Sequence, residues 1–137
     1  MYKESYELIR EILEDEQLNK YVLETTGKAL AVIDSGPQVT MPAAAIVFNG
    51  GEVSWAENSM QIVEYDVPFA LPYWGADGMK KCHDFLDVAL DAFFSHEQRA
   101  EFGRRNFIVK ANPFMMEEDT EEKFWLVTIR VTVSIFN

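Results

Sequence analysis

From Phe124 to Phe136 the chain alternates with a period of two. Trp125, Val127, Ile129, Val131, Val133 and Ile135 take every second position, and Thr128, Arg130, Thr132 and Ser134 lie between them. β-Branched and aromatic residues in that pattern form a strand with one buried face. A slip of one residue would expose all six apolar side chains together, so the register is strongly specified. The sequence therefore requires a sheet with a dry side and a wet side.

A dry side needs a second layer, and 137 residues suffice for one domain, residues 1–137, with its own core. An apolar content of 48% excludes a disordered chain. The net charge of −11 opposes nucleic-acid phosphates and anionic lipid, so neither sequence-specific nucleic-acid binding nor a membrane partner is expected. No apolar run reaches the length of a membrane span, and no basic-then-apolar leader opens the chain. Cys82 is the single cysteine, so no internal disulfide can form and a reducing compartment fits.

Residues 2–16 present Tyr2, Tyr6, Ile9, Ile12 and Leu13 on one helical stripe, with Lys3–Glu7 and Arg10–Glu14 as i,i+4 pairs opposite. The helix stops or kinks between Glu16 and Asn19, where Leu18 would fall on the polar side. Residues 20–32 fit either a short helix or extended chain, and Asp34-Ser35-Gly36-Pro37 is a turn signal. A strand opens at Pro42 and ends at Asn49-Gly50-Gly51, which has hairpin-turn chemistry. A loop carrying Trp55 follows, then a long strand from Met60 to Trp74. Pro68 and Pro72 both withhold an N–H from the same side of that strand, which marks a sheet edge or a bulged boundary there. Asp77 is a candidate N-cap for a helix whose apolar stripe runs Met79, Cys82, Phe85, Leu86, Ala89, Leu90 and Phe93. Ser95 and Gln98 resemble a capping box for a short helical turn over 96–102, ended by Gly103. A third strand over 106–111 leads into an acidic loop, 114–122, before the final strand.

Chemistry-bearing residues are sparse. Cys82, His83 and Asp87 could be drawn as a nucleophile site, but adjacent helical residues diverge by about 100°, and Cys82 falls mid-stripe. Two histidines thirteen positions apart match no metal-ligand spacing. Glu117, Glu118, Asp119, Glu121 and Glu122 lack the alternation and turn glycine of a calcium loop, and read as a solvated run. No catalytic residue, cofactor or metal is therefore expected. Surface residues remain as candidates for contact with other proteins: Trp55, the proline pair Pro68 and Pro72, the basic Arg104 and Arg105, and Phe114, Met115 and Met116 at the mouth of the acidic loop. Met adapts well to interfaces. The alternatives are local ion pairing for the arginines and packing over the helix layer for Phe114–Met116.

The expected class is α+β: an antiparallel or mixed sheet with helices on one face, in the order α-β-β-α-β-β. That layout, carried by Pro42–Gly51, Met60–Trp74, Met79–Phe94 and Phe124–Phe136, resembles the tail terminator (tail completion, minor tail protein U-like) family of long-tailed bacteriophages. The resemblance implies a non-enzymatic protein of virion tails, found in the host cytoplasm during assembly. It implies a homo-oligomer, a ring that in this family is usually hexameric, that ends the tail tube and meets the head-completion proteins. The competing expectations are a small enzyme or ligand-binding domain, and an acidic adaptor for a basic partner.

Overall fold

The computed structural model describes residues 1–33, 40–55 and 59–136. The turn expected at 34–37 lies outside them. The class is α+β, with four helices and a six-stranded, mostly antiparallel sheet among the described residues. The elements follow as α1 (Tyr2–Ile12), α2 (Glu16–Thr26), β1 (Ala31–Ile33), β2 (Ala43–Ala45), β3 (Val47–Ser54), β4 (Met60–Leu71), α3 (Gly78–Phe93), α4 (His96–Arg104), β5 (Ile108–Asp119) and β6 (Lys123–Phe136). The sheet order is β1-β2-β4-β6-β5, with β3 paired to β4 alongside, and β1–β2 is the one parallel pair among the described strands.

The terminal strand does what its alternation requires. Trp125, Val127, Ile129, Val131 and Val133 of β6 are buried beside Val63, Tyr65, Val67, Phe69 and Leu71 of β4. Helices cover this inner face. Leu8, Ile9 and Ile12 of α1, Leu18 and Val22 of α2, and Cys82, Phe85, Leu86, Ala89 and Phe93 of α3 join the strands in one core cluster. Phe69 meets Phe85 edge-on at 4.9 Å between ring centres, a favoured aromatic geometry.

The helix breaks follow local chemistry. The first helix ends at Ile12, and Asp15 starts α2 by accepting the Leu18 N–H at 3.0 Å. Gly27, at φ 79, closes α2 in the left-handed conformation. The ambiguous 20–32 segment is thus helix to Thr26 and a short strand from Ala31. Ser95 caps α4 through the Gln98 N–H at 3.2 Å, and the helix runs to Arg104, past Gly103.

Three strand expectations are corrected. Asn49-Gly50-Gly51 is no hairpin turn: β3 continues through it to Ser54, with a bulge between Phe48 and Gly50. Gly50, at φ 119, takes the strained backbone there. Residues 114–119 are no loop: β5 runs through them to Asp119, paired to β6 without a register shift. β4 is no edge strand, because β2 and β3 pair to one side and β6 to the other. The bulged-boundary alternative describes Pro68 correctly. Ala44↔Phe69 and Val47↔Asp66 keep one register, while Ala45 and Ile46, opposite Pro68 and Val67, leave the ladder. A proline without an N–H opens that gap. β4 ends at Leu71, so Pro72 lies beyond the strand.

Pro68 also sets the bonding parity of its neighbours. Since its deficient side faces the β2–β3 gap, Thr128 opposite it exchanges bonds with Phe114 on the far side of β6. Pro113, the next residue along β5, then turns its missing N–H toward the open edge of a terminal strand. Prolines placed so blunt an edge against strand addition. Among the described residues no helix is long and apolar enough to cross a membrane.

Candidate functional site

All the buried helical side chains above belong to one side of the sheet. The residues alternating with the core positions form the other side, where no described helix lies. Registers place its residues in levels along the strands. Met116, Leu126, Ala70 and Ala43 share one level. Phe114, Thr128 and Pro68 share the next, with Ala45 beside Pro68. Asn112, Arg130, Asp66 and Val47 follow, then Lys110, Thr132, Glu64 and Gly50.

The first two levels, from β2 across to β5, carry no charge. They have relief, however. Ile33, Ala43, Ala44, Ala45, Pro68, Ala70 and Leu126 line a shallow apolar hollow of about 130 Å³. Small side chains on β2 and β4 leave that space. Phe114 and Met116, 44% and 54% exposed, stand above the opposite flank as a ridge. The third and fourth levels are polar. Arg130 donates from Nε to Asp66 Oδ1 at 2.8 Å and from Nη2 to Asp66 Oδ2 at 3.2 Å, with Glu64 Oε1 at 3.6 Å. The Asp66 carboxylate raises the guanidinium pKa above its usual value. Arg130 also lies 5.6 Å from the Phe114 ring centre, a cation–π distance that props the ridge.

The residues singled out from sequence distribute unevenly over this picture. Phe114, Met116 and Pro68 belong to the uncovered face, whereas Met115 points inward and packs on the core. The Phe-Met-Met run is thus split, with Phe114 and Met116 exposed and Met115 against the core, because a strand sends neighbours to opposite sides. Trp55, just past β3, is 80% exposed. Arg104 and Arg105 lie at the far end of α4 and are engaged locally: Arg104 with Glu101 at 2.6 Å, Arg105 with Glu101 at 3.3 Å and Glu4 at 3.5 Å. The hydrogen bond from Arg104 leads the effects that lower the Glu101 pKa. Sequence reasoning passed over Ala43, Ala45, Ala70 and Leu126. Their signal was small or apolar residues at outward positions, where alternation calls for polar ones.

Other chemistry is weaker. Cys82 is fully buried, and burial pushes its thiol up to about 11, the reverse of nucleophile activation. His83 turns away and bonds the Met79 carbonyl through Nδ1 at 2.8 Å. Among the described residues no three His, Cys, Asp or Glu side chains converge on a metal position. A concavity of about 470 Å³ runs between α2 and α3 over Tyr21, Val88 and Ala92, with Asp15, Glu24 and Asp91, and one cation, Lys20, also in its lining. A solvated acidic groove is what those residues make. Compared with known proteins, the sequence matches no family model and no curated relative.

Proposed function

We propose that this chain is a non-catalytic assembly protein that packs against copies of itself, acting as the ring that ends a phage tail tube and offers the surface for head joining. The observation that supports this reading is the uncovered sheet face, whose charge-free levels extend over β2, β4, β6 and β5 with two large apolar side chains raised on one flank. Exposed apolar area of that kind on an otherwise acidic chain is costly for a monomer and gains by being covered. A net charge of −11 suits a channel through which DNA passes without adhering. Pro113 on the β5 edge makes side-chain contact, rather than shared main-chain hydrogen bonds, the means of joining there.

Sedimentation and negative-stain imaging at rising protein concentration test the proposal. Closed rings of one size are expected; a monomer at every concentration, with and without tail-tube protein, would refute it. A second reading, an acidic adaptor for a basic partner, draws on the groove between α2 and α3. It is tested by calorimetric titration with an oligolysine peptide, where salt-sensitive binding lost on Asp91→Asn and Glu24→Gln replacement is the expected result.

A further inference from the structure

We propose that the uncovered face is a two-fold contact with a second copy of this chain, in which the Phe114 and Met116 ridge of each copy seats in the Ala43–Ala45–Ala70 hollow of the other. The inference rests on the self-association reading and adds to it the surface, the symmetry and the residue partners; a two-fold contact joins chains only in pairs, so a ring is built from such pairs through other surfaces.

Consider an axis lying in the face, parallel to the strands and between β4 and β6. Rotation about it preserves each residue's level and exchanges the flanks. β6 lands over β4, and β5 lands over β2 at the uncharged end and over β3 at the polar end. Met116 and Ala43 share a level, as do Phe114 and Pro68, so the ridge of one copy comes down on the hollow of the other. The sizes agree. The hollow measures about 130 Å³, and an apolar cavity of about 150 Å³ holds a benzene ring.

The same rotation satisfies the charges. Acid lies on the β3–β4 flank at Glu52, Glu64 and Asp66, and base on the β6–β5 flank at Arg130 and Lys110. Asp66 and Arg130 share a level, so each meets its opposite on the second copy, and Lys110 comes over β3 beside Glu52. Elsewhere two chains of net charge −11 repel; this face matches itself in sign. Extent is adequate too. β4, β5 and β6, with β2 and β3 end to end beside β4, make four strand positions about 4.8 Å apart and about twelve residues long, roughly 760 Å² of face, against about 800 Å² per partner in stable complexes. Such sheets pack about 10 Å apart.

The decisive experiment is a double variant, Ala45→Cys with Phe114→Cys. Within one copy these positions are three strand spacings apart, about 14 Å, whereas across the contact the facing sheets are about 10 Å apart, so a short bis-maleimide that spans the second distance and not the first joins only different copies. Cys82 is buried and stays out of the reaction. Treatment with that reagent is expected to give a covalent species that stops at two chains, because a two-fold contact closes both links at once. Failure to cross-link, or a ladder beyond two, overturns the proposal. When the parent chain sediments above monomer without this cross-link, the face is refuted and self-association stands; when the parent is always a monomer, both fall. A second variant, Asp66→Arg with Arg130→Asp, retains the pair within each copy. Native mass spectrometry of its mixture with the parent is expected to show mixed dimers depleted about tenfold from the statistical share, since like charges then oppose. Statistical mixing overturns the proposal.

Discussion

The two faces of β4 and β6 are built from alternate residues of the same strands, yet they obey different rules. On the inner face Val67, Phe69, Val127 and Ile129 are fully buried and belong to one cluster with the helices. On the outer face Pro68, Ala70, Leu126 and Arg130 remain partly exposed, and the small side chains leave a hollow. The inner face is packed for folding, where volume and shape set the energy. The outer face tolerates proline, alanine and an ion pair because nothing in the described chain presses on it. Stability should therefore sit on one side of the sheet and association on the other.

The largest effect that can break this division is a core truncation. Phe69→Ala removes a fully buried ring that stacks edge-on with Phe85. A loss of about 3–5 kcal/mol is expected in urea unfolding. Phe114→Ala, on the same sheet but the opposite face, should cost less than about 1 kcal/mol in the isolated chain, which leaves it 44% exposed. Comparable losses for the two would mean that the outer face is part of the folding core.

Alkaline titration sharpens the same contrast from inside the helix layer. Cys82 ionises near 9.0 in an unfolded chain and only near 11 in the folded one, because burial disfavours the thiolate. The unfolded state loses its proton first, so the folded chain keeps this contribution below pH 9.0 and loses it as pH rises toward about 11. A separation of that size is worth about 2–3 kcal/mol. Tyr73 follows at higher pH, raised by burial from 10.0 to about 12 against the lowering effect of its Thr25 hydrogen bond. Cys82→Ala should flatten the slope below pH 10, which Tyr73 does not share. A slope unchanged by that replacement would show that the thiol is not held away from water.

A smaller, local effect concerns the break between α1 and α2. Asp15 accepts the Leu18 N–H at 3.0 Å, and Asp15→Ala should cost about 1 kcal/mol, read by thermal unfolding. This cap also shows what a single sequence reveals. An aspartate three residues before Leu18 was there to be read, but the amphipathic stripe of residues 2–16 ran across it and hid the boundary. Periodicity was reliable where one face is buried throughout: β6, α3 and the inner half of β4 were all legible, since alternation or a helical stripe is imposed by the core. It failed where backbone geometry alone decides. Asn49-Gly50-Gly51 has the composition of a hairpin turn, yet the ladder to β4 passes through it as a bulge. The acidic residues 117–119 look like a loop, yet twelve consecutive pairs to β6 hold β5 straight. Long-range partners overrode local preference in both places. The candidate face was half legible. Large exposed residues such as Phe114 and Met116 announce themselves, whereas a hollow is defined by alanines that become informative only once their level opposite Phe114 and Met116 is known.

The smallest expected change in stability is the most discriminating. Asp66→Asn removes the charge from a two-pronged pair whose partner, the Arg130 side chain, is 42% exposed. Exposed pairs contribute less than about 1 kcal/mol, because water solvates the separated charges nearly as well. Glu64 Oε1, 3.6 Å from the Arg130 Nε, stays to share the guanidinium, which reduces the loss further. The unfolding midpoint of the isolated chain should hardly change. In a two-fold contact the same replacement strikes twice, once per copy, at a level where water is excluded and each Asp66 faces the other copy's Arg130. Dimer dissociation should then strengthen about tenfold or more while the unfolding midpoint barely moves. Equal movement in the two measurements would place the ion pair among the supports of the fold, and the separation of the two faces would be lost.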